Sequence, residues 1–325
     1  MPAAFFCNSN VQVDFKCQEE TMAGIKRILF TTDFSEFANH ALKYAIGMAK
    51  VFDAELTMLH AVTVYRGEEG TEEKDKFPSL DRYCEEVESD ANGRFEICIA
   101  DMGDAGIKVA KEVVRGKSPH AAILDYLRKN NDIGMVVMST HGRGGLSHVL
   151  VGSVTENVIR YAGIPVLAVK KTEHETTDPE TGEVIIKKIL FPLDFSRESL
   201  RPLELVKSVA GKYGAEVIVF HSIDVEVPPI YYTSGIDSIL QLDPDIKVRV
   251  EKRMKEMIGD TLSAIPVRFL VSDGRAVEQI REQVMKERVD LVAMSSSGSH
   301  GIGEFFFGST ATRVIQKAIC PVLVV

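Results

Sequence analysis

Two tandem α/β domains, each a doubly wound parallel sheet covered by helices on both faces, are what this sequence predicts. Three observations predict it. First, the chain repeats itself: Lys26-Arg27-Ile28-Leu29-Phe30-Thr31-Thr32-Asp33-Phe34-Ser35 returns as Lys187-Lys188-Ile189-Leu190-Phe191-Pro192-Leu193-Asp194-Phe195-Ser196. A later block, from Met138 through Gly142 and Gly152-Ser153 to Pro165-Val166-Leu167, returns from Met294 through Gly298 and Gly308-Ser309 to Pro321-Val322-Leu323. The offset of about 160 residues far exceeds the roughly 20 to 50 residues of a solenoid repeat, so it marks a duplicated domain. Second, short apolar runs alternate with stretches of helical periodicity in each copy, the order that builds a parallel sheet with right-handed crossovers. Third, 325 residues fit two domains of about 150.

The elements follow in order. Ile28 to Thr31, mirrored by Ile189 to Phe191, is a continuous apolar run, as expected of a parallel strand buried on both faces. Ala38, Leu42, Ala45, Ile46 and Ala49 then recur at helical spacing, and the copy has Leu200, Leu203, Val206, Val209 and Ala210. Second strands are expected at Leu56 to Ala61 and Val217 to Ser222, each followed by a long polar loop, Val64 to Phe77 and Asp224 to Pro244. A helix leads to a third strand, Val109 to Val114 or Val267 to Val271. Helices over Ala121 to Lys129 and Val277 to Lys286 precede the fourth strands, Met135 to Met138 and Leu291 to Met294. A glycine-bearing loop and a helix (Val154 to Tyr161, Thr310 to Lys317) come next, and each copy closes on an apolar run, Val166 to Val169 or Val322 to Val325. The boundaries expected are a disordered tail over 1–23, a first domain over 24–171, a linker over 172–185 and a second domain over 186–325. Asp178-Pro179-Glu180-Thr181-Gly182 gives the linker a turn, with a small hairpin into Val184-Ile185-Ile186.

Composition narrows the function. A formal net charge of −9 argues against a broad nucleic-acid surface, which needs clustered Lys and Arg. No run of about 18 apolar residues occurs, and the first residues lack the basic and apolar regions of a signal peptide. The five cysteines are scattered and never spaced as CxxC, a pattern of neither a disulfide framework nor a zinc site. The expected setting is a reducing cytoplasm, with no nucleic acid or membrane as partner.

The loop after strand four carries the chemistry. Gly142, nine residues, then Gly152-Ser153 precedes a helix, and the copy keeps the spacing as Gly298, nine residues, then Gly308-Ser309. Glycine admits close backbone approach, and a helix N-terminus presents unpaired N–H groups with about half a positive charge. Together they form an anion cradle of the kind that phosphates occupy. Ser153-Val154-Thr155-Glu156 also matches a capping box, which would explain Ser153 without a ligand. The copy has Thr312 in place of Glu156 yet keeps Gly308-Ser309, which capping alone does not account for. The loops at Asp33, Ala61 and Gly142 all leave strand carboxyl ends, the edge where open α/β sheets bind ligands.

With these residues in view, the chain from Ile25 to Val325 resembles the universal stress protein family, as a tandem pair. The resemblance is carried by the strand–Asp–Phe–Ser opening, His60 on strand two, Gly142-x9-Gly152-Ser153 and Pro165-Val166-Leu167. It implies a Rossmann-like fold of five parallel strands per domain, of the adenine nucleotide alpha hydrolase-like type, and for one branch of the family ATP binding through Gly-x2-Gly-x9-Gly-(Ser/Thr). By that resemblance Asp33 and the Ala61 backbone face the adenosine end, and Gly142, Arg143, Gly152, Ser153 and Val154 surround the phosphates. In the second half the places fall to Asp194, Ser222, Gly298, Ser299, Gly308, Ser309 and Thr310. Ser139 and Ser295 stand where the pattern has its first glycine. Mg²⁺ is expected on the phosphates, and no residue is expected to ligate a metal. Family members dimerise through the last strand, so the halves are expected to pair as a pseudo-dimer, with a homodimer of the whole chain beside it.

Other motifs carry less. Gly116-Lys117-Ser118 resembles the end of a phosphate loop, but Lys111 stands where the first glycine belongs. Asp33 and Asp194 suit either a helix cap or hydrogen bonds from a ribose or an adenine amino group. His60 and His221 are expected as hydrogen-bonded core residues. His141 has Ser297 as its counterpart, so no catalytic histidine is duplicated in that loop. No Ser–His–Asp or Cys–His constellation recurs in both halves, so the chain is not expected to be an enzyme beyond slow ATP hydrolysis. The competing expectation is a scaffold of the same fold that works without nucleotide.

Overall fold

The computed structural model describes residues 24–63, 79–103, 105–142, 151–171, 176–178, 181–225, 235, 238–296 and 308–325. The expectations for Arg143, Gly298 and Ser299, for the tail and for most of the two long loops lie outside them.

The first half runs β1 (Arg27–Thr31), α1 (Glu36–Phe52), β2 (Glu55–Thr63), α2 (Ser79–Met102), β3 (Val109–Gly116), α3 (Pro119–Lys129), β4 (Ile133–Ser139), α4 (Ser153–Tyr161) and β5 (Val166–Val169). The second runs β6 (Lys188–Pro192), α5 (Leu203–Tyr213), β7 (Glu216–Ile223), α6 (Ile239–Leu242), α7 (Ile246–Ile258), β8 (Val267–Asp273), α8 (Ala276–Glu287), β9 (Leu291–Met294), α9 (Ser309–Lys317) and β10 (Val322–Val324). Two details differ from the sequence expectation. A short 3₁₀ turn at Glu198–Leu200 stands apart from α5, because Pro202 cannot donate in a continuous helix. And α6 occupies part of the stretch expected to be loop before Pro244.

The strands form one ten-stranded sheet in the order β3-β2-β1-β4-β5-β10-β9-β6-β7-β8. Within each half neighbours run parallel, and their apolar runs are continuous because both faces are covered. Successive residues of β1 serve opposite layers: Ile28 and Phe30 pack with α1, whereas Leu29 joins the layer of α3 and α4. β6 repeats this with Ile189 and Phe191 against Leu190.

The halves meet where β5 pairs antiparallel with β10, setting Val166 opposite Val324, Leu167 opposite Leu323 and Ala168 opposite Val322. Paired strands leave no bare edge there. A homodimer of the whole chain would therefore have to use some other surface. The segment between the halves is tied down as well. Thr177 bridges Val184 antiparallel, with Gly182 left-handed (φ 69°) at the turn. Tyr44 hydrogen-bonds Thr176, and Lys50 pairs with Glu183 at 2.7 Å. Gly47 lets this segment approach α1, since a Cβ there would lie 3.0 Å from the Tyr213 hydroxyl and 3.2 Å from the Val184 Cβ.

Leu323 is 2% exposed at the seam. Leu323→Ala should lower the stability measured by urea denaturation by about 2–5 kcal/mol, the usual range for emptying a packed leucine site. An unchanged midpoint would show that the seam does not form in solution.

Candidate functional site

The carboxyl ends of β1, β2 and β4 and the start of α4 surround a cavity of about 280 Å³. Asp33, Ala61, Ser139, Gly142, Gly152, Ser153 and Val154, all expected from the sequence, line it together. They are brought together by topology: β1 lies between β2 and β4, so three loops leave one edge side by side.

The helix start is built differently from a capping box. Gly152, not Ser153, is the N-cap residue of α4, with extended backbone (φ −61°, ψ 141°) and no side-chain cap. Glu156 does not reach back but pairs with Arg160 at 2.9 Å. The Gly152 amide donates to the Thr140 carbonyl at 2.8 Å, and Thr155 Oγ1 donates to the Ser139 carbonyl at 2.8 Å. These two bonds pull the start of α4 against the end of β4. The glycine here eases a close approach rather than a positive φ, since a Cβ would lie 3.3 Å from the Thr140 oxygen, tighter than an ordinary contact. The second half is the same: Gly308 caps α9 with φ −64° and ψ 142°, no side chain caps it, and its amide donates to Ser296 O at 2.8 Å. Ser309 and Thr310 open α9, and Ser295 is buried at the end of β9.

Asp33 is half-buried and does not cap α1. Ser35 does, its Oγ accepting from the Ala38 amide at 3.2 Å. Asp33 Oδ1 accepts instead from the Ser35 amide at 3.0 Å, a local turn. Its other oxygen faces Gly142 so closely that a Cβ there would sit 2.7 Å away. Asp194 repeats the turn with Ser196, at 3.0 Å to the amide and 2.5 Å to the hydroxyl, and is exposed. Ser222, the counterpart of Ala61, donates its hydroxyl to the Gly274 carbonyl at 2.5 Å.

Both histidines are hydrogen-bonded to main chain, as expected, but half-buried rather than in the core: His60 Nδ1 lies 2.8 Å from Thr32 O, and His221 Nδ1 2.7 Å from Leu193 O. Burial pushes the His221 pKa down, opposed by its bond to Leu193 and by Asp194. His141 also faces the cavity, with Nδ1 2.9 Å from the Thr140 hydroxyl.

Sequence reasoning did not place Thr31, Thr32, Leu59, Met138, Thr140, Thr155, Pro119 or Ile123 in the site, and all of them line the cavity. Pro119 and Ile123 belong to α3, which starts just past the carboxyl end of β3. The loop after β3 is thus a fourth at the same edge, and the rule for strand carboxyl ends covers it as well. Ser118 is the N-cap of α3, and a Cβ on Gly116 would strike Ala122 at 2.8 Å. The Gly116-Lys117-Ser118 motif is therefore explained by capping and packing.

A protein with these features is a duplicated doubly wound α/β protein whose glycine-capped helices begin at the ligand edge of the sheet. Comparison with known proteins is consistent across the chain. It belongs to the universal stress protein family, which matches residues 24–170 and again residues 186–325. A universal stress protein of Methanocaldococcus jannaschii is 32% identical over 160 residues, covering 45% of this chain and 95% of that protein. One from Mycolicibacterium smegmatis is 26% identical over 322 residues, 92% of this chain and 96% of its own. A crystal structure of a universal stress protein from Archaeoglobus fulgidus superposes with a TM-score of 0.67 at 22% identity, over 92% of this chain and 97% of that one. Another family member, matching 43% of this chain and 97% of its own at 17% identity and a TM-score of 0.32, was solved in complex with cAMP.

No helix among the described residues is long and apolar enough to cross a membrane.

The depressed His221 pKa has a pH consequence. The unfolded chain binds the proton more readily, so the neutral imidazole contributes stability that is complete above its ordinary value of 6.5. That stability is lost as pH falls from there through the folded value. Melting temperature should therefore drop on acidification below about 6.5, and His221→Gln should flatten this part of the profile. A profile unchanged by the substitution would contradict the assignment.

Proposed function

We propose that this chain is a cytoplasmic regulatory protein of the stress response that binds ATP, with Mg²⁺ carried on the phosphates. The site is the cavity of the first half and, where it is filled, its counterpart in the second. The observation that carries the reading is the start of α4: an N-cap glycine with no side chain on the helix amides, at the ligand edge of the sheet. A serine, threonine, aspartate or asparagine at that position would close those amides with a side-chain oxygen. Here they are left to an incoming anion, favoured by the helix dipole.

The rest of the lining suits a nucleoside. Leu59, Ile123, Met138 and Pro119 give apolar walls, while Asp33, Thr32, Ser139 and Ser153 supply polar groups. In this reading Asp33 and the Ala61 backbone take the adenosine end. The amides of Ser153 and Val154, the Ser153 hydroxyl and Gly142 take the phosphates, with Arg143 beside them. The second half offers Asp194, Ser222, Ser295, Gly308, Ser309 and Thr310, with Gly298 and Ser299. Mg²⁺ would neutralise phosphate charge without a protein ligand. The chain then works by differential binding between conformations rather than by catalysis.

At an Mg-ATP concentration of 100 times Kd, one filled site should stabilise the protein by roughly 2.7 kcal/mol, read as a rise in melting temperature. Gly152→Val places a branched side chain at the cradle and should remove one site in titration calorimetry; Gly308→Val should remove the other. Stoichiometry unchanged in both variants would refute the assignment. No melting shift with any adenine nucleotide would favour the nucleotide-independent scaffold. Steady phosphate release, lost on changing Asp33 but not Asp194, would mark the first half as an ATPase.

A further inference from the structure

In both halves the site aspartate is followed by a phenylalanine with a left-handed backbone, φ 60° at Phe34 and φ 65° at Phe195. That region is disfavoured for residues with a Cβ, and a bulky ring there is an outlier that its surroundings must hold. The same two side chains, a histidine and an arginine, hold it in both halves. His60 and His221 each donate through Nδ1 to the carbonyl just before the aspartate, at 2.8 and 2.7 Å, since a carbonyl oxygen can only accept. Each imidazole lies against the phenylalanine ring, with centroids 4.8 Å apart in the first half and 4.3 Å in the second. An arginine completes each stack: Arg94 stands 5.8 Å from the Phe34 centroid and Arg253 4.5 Å from that of Phe195. Arg94 precedes the buried Phe95 on α2, and Arg253 precedes the buried Met254 on α7, so the two arginines occupy equivalent places.

One local bond is not shared, which shows what sets the turn. The Phe34 amide donates to Thr32 Oγ1 at 2.9 Å, but Leu193 stands in that place in the second half. Phe195 keeps the same backbone without the hydroxyl. The shared histidine, ring stack and arginine are what remain to hold it. The left-handed residue in turn lets each aspartate Oδ1 accept from the serine amide two residues on, at 3.0 Å in both halves. In the first half that bond leaves Oδ2 against Gly142.

We propose that Phe34 with His60 and Arg94, and Phe195 with His221 and Arg253, are positioning units that lock the Asp–Phe–Ser turn and aim the Asp33 or Asp194 carboxylate at the hydroxyl groups of the ligand's sugar. The identity of the ligand rests on the reading above; the locking of the turn does not.

The test uses the full chain with Phe34→Leu, Phe34→Tyr, His60→Leu and, as reference, Asp33→Ala. The first readout is hydrogen exchange of the Ser35 amide, which the stack should protect through Asp33. Exchange should accelerate about tenfold in Phe34→Leu and His60→Leu, a factor worth 1.4 kcal/mol, and stay near wild type in Phe34→Tyr, which keeps the ring. The second is the Kd for Mg-ATP in the first half, expected to weaken about tenfold in both leucine variants and to be retained in Phe34→Tyr. A role in folding alone would lower the melting temperature and leave Kd unmoved. Ser35 protection unchanged in both leucine variants would overturn the proposal whatever the ligand. So would a wild-type Kd in Phe34→Leu alongside its loss in Asp33→Ala, a result that leaves nucleotide binding standing. If the wild-type chain binds no nucleotide, the functional reading fails, and Ser35 exchange still decides the positioning units.

Discussion

The site depends on one close approach, made twice: a glycine amide at a helix start donating to the carbonyl just beyond the fourth strand of its half. The bonds from Gly152 to Thr140 and from Gly308 to Ser296 have the same length, 2.8 Å. Each holds the helix start against the sheet edge, and at Gly152 a Cβ would lie only 3.3 Å from the Thr140 oxygen. The consequence is electrostatic. A helix start without a capping side chain leaves amide hydrogens and a partial positive charge facing a cavity. The aspartate turn and the end of β2 then complete the enclosure because β1 lies between β2 and β4.

Much of the architecture was legible in the residues. Duplication fixed the unit, and runs such as Ile28 to Thr31 and Leu291 to Met294 announced parallel strands because nothing in them alternates. The convergence of Asp33, Ala61 and Gly142 followed from the rule for strand carboxyl ends. The failures have physical causes. Ser153-Val154-Thr155-Glu156 has the composition of a capping box, but a tertiary hydrogen bond from Gly152 sets the helix start one residue earlier. Leu200 and Leu203 keep helical spacing, yet Pro202 divides them. Arg94 and Arg253 were invisible, because periodicity tells which face of a helix is buried and not which loop that face overlies. Nor does a phenylalanine in a sequence betray a left-handed backbone.

The duplication is also not a copy in every respect. The halves share the glycine cap, the aspartate turn and the histidine that braces it. They differ at Thr32 and Leu193, at Ala61 and Ser222, and at Thr155, whose hydroxyl bond to the strand end is lost where Ala311 stands in the second half. The shared parts are those that shape the backbone, and the divergent ones are side chains around it. Joining the halves through β5 and β10 places both versions on one continuous sheet, with the edges of these short apolar strands satisfied inside the chain.

The most direct measurement is a crystal structure of the full chain grown with excess Mg-ATP. The account predicts phosphate oxygens within hydrogen-bonding distance of the Ser153 and Val154 amides, with the sugar beside Asp33. Density showing only solvent at the start of α4, or a nucleotide bound elsewhere, would contradict it.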